Sequence, residues 1–159
     1  MTALQPMPPT SFEAYRLASA RGYASDNVSS GRWPSESALD RALQDFDQSL
    51  PQGLATPDNH VYEIRDESRS ATVGVVWFAV VEKNGLKSAF VYDLEVQAEY
   101  RRQGHARAAF RLLEPLVRSL GLSSIGLHVF IQSVAAQALY ESLGYKVTSL
   151  NMHKRLQTL

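Results

Sequence analysis

The chain has 159 residues, 45% apolar and 20% charged, which suits a soluble globular protein with a proper hydrophobic core. Sixteen basic residues cancel sixteen acidic ones, so no global charge points to a nucleic acid or an anionic membrane as partner. No cysteine is present, which excludes disulfides, thiolate metal sites and cysteine nucleophiles, and the scattered histidines suggest no metal site.

The opening "MTALQPMPPTSF" lacks the charged and apolar regions of a signal peptide, and no window approaches the roughly 20 apolar residues that span a bilayer. The expectation is a cytoplasmic protein with a single domain over residues 1–159. The proline-rich start predicts a short extended arm. Thr10 or Ser11 is positioned to cap a helix from Phe12, which fades near Gly31 and Pro34. A second helix carries Leu39, Leu43 and Phe46 on one stripe and ends near Pro51 and Gly53. The period then changes to that of strands. "HVYEI", "TVGVVWFAVVEK" and "LKSAFVYDLEV" read as three of them. The last two are joined by Asn84-Gly85, the pair that a type I′ hairpin turn prefers.

"RAAFRLLEPLVRSLG" predicts a helix that Pro115 should kink or break early. "SSIGLHVF" predicts a strand, "SVAAQALYESLG" a helix closed by Gly144, and "YKVTSLNMHKRL" a last extended segment. The hairpin makes the first half of the sheet antiparallel, and the strand–helix–strand units favour parallel pairing after it. The fold class is therefore α/β, a mixed sheet with helices on both faces.

One stretch is chemically unusual. "EYRRQGHARAAF" places three arginines around Gly104, between a strand and a helix start. The first turn of a helix has unpaired N–H groups and the positive end of the dipole. Gly104 allows close approach to the backbone, and Arg101 and Arg102 can add charge-assisted bonds to an anion. The alternative is a solvated helix start with no ligand. Neither the dinucleotide nor the Walker glycine pattern is present.

"YRRQGHA" resembles the R-x-x-G-x-[GA] pyrophosphate loop of the GNAT superfamily of acetyl-coenzyme A-dependent N-acetyltransferases, through Arg101, Gly104 and Ala106. Further on, "SVAAQALYESLGY" is similar to that family's N-x-x-A-x-x-L-Y-x-x-x-G-[FY], through Ala136, Leu139, Tyr140, Gly144 and Tyr145. The resemblance covers Thr72 to Leu156 and looks closest to aminoglycoside 3-N-acetyltransferase-type and small uncharacterised bacterial members. One departure is Ser133, where the family often has asparagine.

The resemblance implies a mostly antiparallel central sheet with splayed central strands, acetyl-CoA as co-substrate, and direct transfer of acetyl to a primary amine in a ternary complex. The acceptor is an amine-bearing small molecule or peptide, without nucleic acid or membrane, and a homodimer is compatible with this reading. The resemblance also implies that Arg101, Arg102, Gln103, Gly104, His105, Ala106 and Arg107 hold the pyrophosphate. It assigns the backbone of Leu94, Glu95 and Val96 to the thioester, and Ser133 and Ala136 to the pantetheine arm. Tyr140 matches the family's thiolate acid, against the reading of a core aromatic. Asp93 is an odd charge between Tyr92 and Leu94, and is taken as base or amine anchor. It shares a strand face with Glu95, and Phe90, Tyr92, Leu94 and Val96 share the other. His128 alternates with apolar residues and reads as a core histidine, and His60 as a surface residue. Tyr23, Trp33 and Trp77 are candidates for the acceptor pocket, with a core role an equal reading for Trp77. The functional alternative is a non-catalytic acyl-CoA-binding regulatory domain.

Overall fold

In the computed structural model, which describes residues 1–158, the proline-rich opening is part of the sheet. Thr2–Pro6 forms strand β1, antiparallel to the next strand with Thr2 opposite Asp66. A single turn at Pro9–Ser11 then leads into helix α1, Phe12–Ser29. Neither Thr10 nor Ser11 caps α1 through its side chain, because that turn already carries the chain into helical geometry. Helix α2 is Ala38–Ser49, but the face it buries is Ala38, Ala42 and Phe46, and Leu39 points outward. The reason lies in its partner. Ala38 and Ala42 cluster with Ala20 and Ala24 of α1, and small side chains on both sides let the two backbones approach.

Strands β2 (Asn59–Asp66), β3 (Ala71–Lys83) and β4 (Leu86–Val96) follow. Asn84 and Gly85 take φ of 55° and 79°, the left-handed conformations that the β3–β4 hairpin turn requires. Helix α3 spans His105–Ser119, running through Pro115 without ending there. Pro115 lies on the exposed side, so the Arg111 carbonyl that loses its N–H partner faces water. Strand β5 is only Ile125–Leu127, and helix α4 is Val134–Ser142.

The five strands lie in sequence order, β1-β2-β3-β4-β5, antiparallel except for the β4–β5 pair. α3 covers one face through Ala109, Phe110, Leu113 and Val117, packed on Ile64, Val76, Phe78 and Val91. α1 and α2 cover the other through Tyr15 and Phe46, packed on Val61 and Trp77. Helices on both faces of a mixed, mostly antiparallel sheet are thus the observed architecture. No helix among the described residues is long and apolar enough to cross a membrane.

Two strand expectations are corrected. "SSIGLHVF" joins the sheet only at Ile125–Leu127, opposite Ala89–Val91, because β4 and β5 part beyond Val91. The remainder of β4, as far as Val96, then has no strand on that side among the described residues: the central strands are splayed. The segment 145–156 forms no strand, and its Val147, Leu150 and Met152 are exposed. Alternating apolar residues specify a face, but a strand also needs an edge, and β5 offers three residues of it.

Candidate active site

The site is made by an irregularity in β4. Trp77 pairs with Asp93, yet the next residue, Phe78, pairs with Val91, so Tyr92 is an extra residue in a β-bulge. The bulge reverses the alternation of faces. Before it, Ala89 and Val91 face the α3 core; after it, Leu94 and Val96 do. This corrects the expectation that Phe90, Tyr92, Leu94 and Val96 share a face. Asp93 and Glu95 do share one, and Phe90 joins the same side.

The bulge also orders the backbone. Gln97 N–H donates to the Val73 carbonyl at 2.8 Å, so alternation sends the Glu95 N–H toward β3 and those of Leu94 and Val96 away from it. On that side β5 has already diverged. Gly74 permits the close β3 approach, since a Cβ there would meet the Glu95 carbonyl oxygen.

Above this gap lies a cavity of about 850 Å³ between α1, α2, β4 and the start of α4. Asp93, Leu94, Glu95, Ser133, Ala136 and Tyr140 all line it. Tyr15 of α1 donates its hydroxyl to Asp93 Oδ2 at 2.9 Å. Burial pushes the Asp93 carboxyl up to about 6; the hydrogen bond from Tyr15 opposes that rise, and the charges of Glu95 and Asp26 add to it. Burial, with the same carboxylate as lesser cause, raises the Tyr15 hydroxyl.

Tyr140 has one foot in the core and one in the cavity. Its ring lies edge-on to Phe110 at 5.3 Å and packs against the α3 cluster. Its hydroxyl has no hydrogen-bond partner among the described residues, and burial followed by the Asp93 charge raises its pKa. The residue therefore both packs on the core and lines the cavity. Ser133 stands at the start of α4 without a side-chain capping bond.

The arginine loop lies beyond the cavity, at the start of α3. Gly104, with φ of 86°, is the residue before the helix, and an added Cβ there would project into open space. From Arg102 to Arg107 no backbone N–H has an acceptor among the described residues, and Arg102 itself takes a positive φ of 61°. Successive free N–H groups on such a turn form an anion-binding concavity, so this loop fits a pyrophosphate. The side chains are less uniform. Arg101 donates from Nε to the Val96 carbonyl at 2.9 Å, which ties the loop to β4. Gln103 accepts from Arg69, and Arg107 donates to Ser142. Ala106 packs on the core. The His105 ring is buried between β1 and β2, with Nδ1 3.0 Å from Thr2 Oγ1 and Nε2 3.7 Å from Asp66, which leaves only its backbone for a ligand.

Residues 23–145 match the family model for the acetyltransferase (GNAT) family. The chain belongs to the GNAT family. It is an acetyl-CoA-dependent acetyltransferase, 33% identical over 153 residues to the uncharacterized N-acetyltransferase YycN of Bacillus subtilis, covering 96% of this chain and 97% of that one. The crystal structure of YycN covers 99% of this chain and 100% of its own, with a TM-score of 0.93 and 32% identity. An acetyl transferase from Pyrococcus furiosus, 26% identical, aligns over 98% of this chain and 100% of its own with a TM-score of 0.72. AAC(6')-Iy, in complex with a bisubstrate analog of CoA and acetylneamine, shares the fold at 15% identity, with a TM-score of 0.64 and 99% coverage of both chains.

Several residues at or behind this site carry no mark in the sequence. Tyr15 reads in sequence as apolar helix surface, and its contact with Asp93 crosses 78 positions. Asp26, Asp45 and Phe130 line the cavity without any local pattern to mark them. Tyr23 and Trp77 line this cavity, Trp77 as a buried ring of the core beneath it; Trp33 packs edge-on to Tyr23 at 5.2 Å. His128 is not a core histidine: β5 ends before it, and it is exposed at the cavity wall, edge-on to Phe130. His60 is half-buried and stacked on Phe78 at 4.9 Å.

Proposed function

We propose that this acetyltransferase acts on a primary amine bound in the cavity under α1 and α2, by direct attack in a ternary complex. The observation that carries the reading is the meeting of Asp93, Tyr140 and the unpaired β4 edge in one cavity, where β4 and β5 part.

Bound acetyl-CoA supplies the thioester carbonyl and the thiol leaving group, held by the N–H groups from Arg102 to Arg107 and by Ser133 and Ala136. Asp93 takes the proton from the incoming ammonium, directly or through water, and frees the nitrogen lone pair. With its carboxyl pushed up to about 6, Asp93 is ionised at neutral pH yet basic enough to do this. The Leu94 and Val96 N–H groups donate to the carbonyl oxygen as charge develops there. Tyr140 donates its phenolic proton to the sulfur as the C–S bond breaks and the C–N bond forms. The proton lost from nitrogen on amide formation restores Tyr140 through solvent.

Release of free thiol from acetyl-CoA across a panel of primary amines tests this. Amine-dependent release is expected. A folded protein whose melting temperature rises with acetyl-CoA, but which releases no thiol with any amine, overturns the proposal.

A further inference from the structure

The sheet ends at β5 with an unused edge. Ala89 N–H donates to the Ser124 carbonyl and Ala89 stands opposite Ile125, so in this parallel pair Ser124 and Gly126 turn their backbone groups toward β4. Those of Ile125 and Leu127 point away from it, and no strand lies beyond β5 among the described residues. The tail after α4, residues 145–156, is the other unpaired element. From residue 146 onward none of its backbone groups makes a hydrogen bond among the described residues. Val147, Leu150, Met152 and Leu156 of this tail are all exposed. A single exposed apolar residue is ordinary, but four on one segment with unpaired backbone mark a surface that another chain covers.

A cavity of about 720 Å³ separates the two elements. Half-buried Ile125 and Leu127 line one side of it, and half-buried Leu143 and Tyr145 the other. A strand spacing of about 4.8 Å, a rise of about 3.4 Å and a layer about 10 Å thick give roughly 160 Å³ for each residue of a sheet, so the cavity holds about four residues of an added strand. That length suits an edge of three residues. The chain's own tail does not fill the gap. Tyr145 packs edge-on to Phe110 at 5.6 Å and to Tyr140 at 6.0 Å, and its N–H donates to the Tyr140 carbonyl, which fixes the root of the tail on the far wall. Moving the tail onto β5 would pull that ring away from the core. The tail of a second copy has no such tether.

We infer that two copies of the chain exchange these tails. The tail of each enters the gap between β5 and the tail of the other, and a two-fold axis passes between the tails. The strand order across the dimer is then β5, partner tail, tail, partner β5. One closed two-fold contact fills both gaps and covers both tails, whereas an unrelated peptide on β5 would leave the apolar tail in water. The exchange reaches the active site, because Asn151 of the tail and His128 and Phe130 beyond β5 line the cavity that holds Asp93. The partner's tail lies between these two lining segments and braces them. This arrangement stands whichever amine is acetylated.

Analytical sedimentation and amide hydrogen exchange test this together, on the parent, Leu150→Glu and Met152→Glu. The two residues are 74% and 92% exposed in one copy, so the substitutions should leave the stability of a monomer nearly unchanged. Slow exchange in α3 shows that each variant is folded. The parent should be a dimer at micromolar concentration, with the Ile125 and Leu127 amides protected. Each variant would bury two unpaired carboxylates in the dimer, so its dissociation constant should rise by about 10²-fold or more, and protection of those two amides should fall with it. A monomeric parent overturns the inference, and if its Ile125 and Leu127 amides are protected the chain's own tail occupies β5 instead. A dimer that both variants leave intact, or one in which those two amides exchange freely, overturns it as well.

Discussion

The contact between Tyr15 and Asp93 makes the sharpest quantitative test. Tyr15→Phe removes one oxygen and keeps a ring that packs edge-on to Phe46 at 5.8 Å. The hydrogen bond stabilises the charged carboxylate, so its loss should raise the Asp93 pKa above its value of about 6. A hydrogen bond to a charged group contributes about 1.5–3 kcal/mol, which corresponds to a rise of roughly one to two pKa units. At pH 7 the ionised fraction of Asp93 would fall from about nine-tenths to between about a half and a tenth. The assay is kcat/KM against pH, which reports the free enzyme. The acid limb should move to higher pH by roughly one to two units, with activity recovered on the alkaline side. An acid limb that stays in place in the folded variant would refute the assignment of that titration to Asp93.

Asp93→Asn should lower kcat/KM and, at the same time, stabilise the protein above neutral pH. The folded carboxyl is raised from 3.8 to about 6, so its stability contribution is complete below pH 3.8 and lost as pH rises through about 6. Asparagine escapes that loss and still accepts from Tyr15, so melting at pH 8 should show a gain of about 1–2 kcal/mol that vanishes near pH 4, discounted because the cavity leaves Asp93 some solvent. Tyr140→Phe should lower kcat by about 10²-fold or less, with an unchanged thermal shift on acetyl-CoA; parental kcat, where chemistry limits the rate, would return the residue to the core alone. Gly104→Val puts a branched Cβ into the open space at the turn and strains a φ of 86°, so it should reduce the melting temperature modestly. It should also abolish the acetyl-CoA shift, which in the parent approaches roughly 2.7 kcal/mol at 100 times Kd.

What the sequence determined by itself was local. The Asn84-Gly85 turn, the strand-to-helix loop at Gly104 and the amphipathic α3 and α4 are each specified by neighbouring residues, so backbone preference and periodicity were enough to place them. The family motifs sit on those same elements, and the GNAT assignment was therefore within reach. Even locally, residue size misled the reading of α2, because close packing against the alanines of α1 selected Ala38 and Ala42 over Leu39. Tertiary structure decided everything that depends on which edge meets which. The bulge at Tyr92 arises from the pairing of β3 with β4, and only that pairing turns Asp93 and Phe90 to one side and Leu94 and Val96 to the other. Residues 145–156 have strand-like alternation and no edge to pair with. Tyr15 reaches Asp93, and Asp26 and Asp45 line the same cavity, only because α1 and α2, remote from β4 in sequence, cover one face of the sheet. A one-dimensional pattern encodes which face of an element is apolar; the charge gathered inside a cavity is a sum over elements, and it exists only once they are packed together.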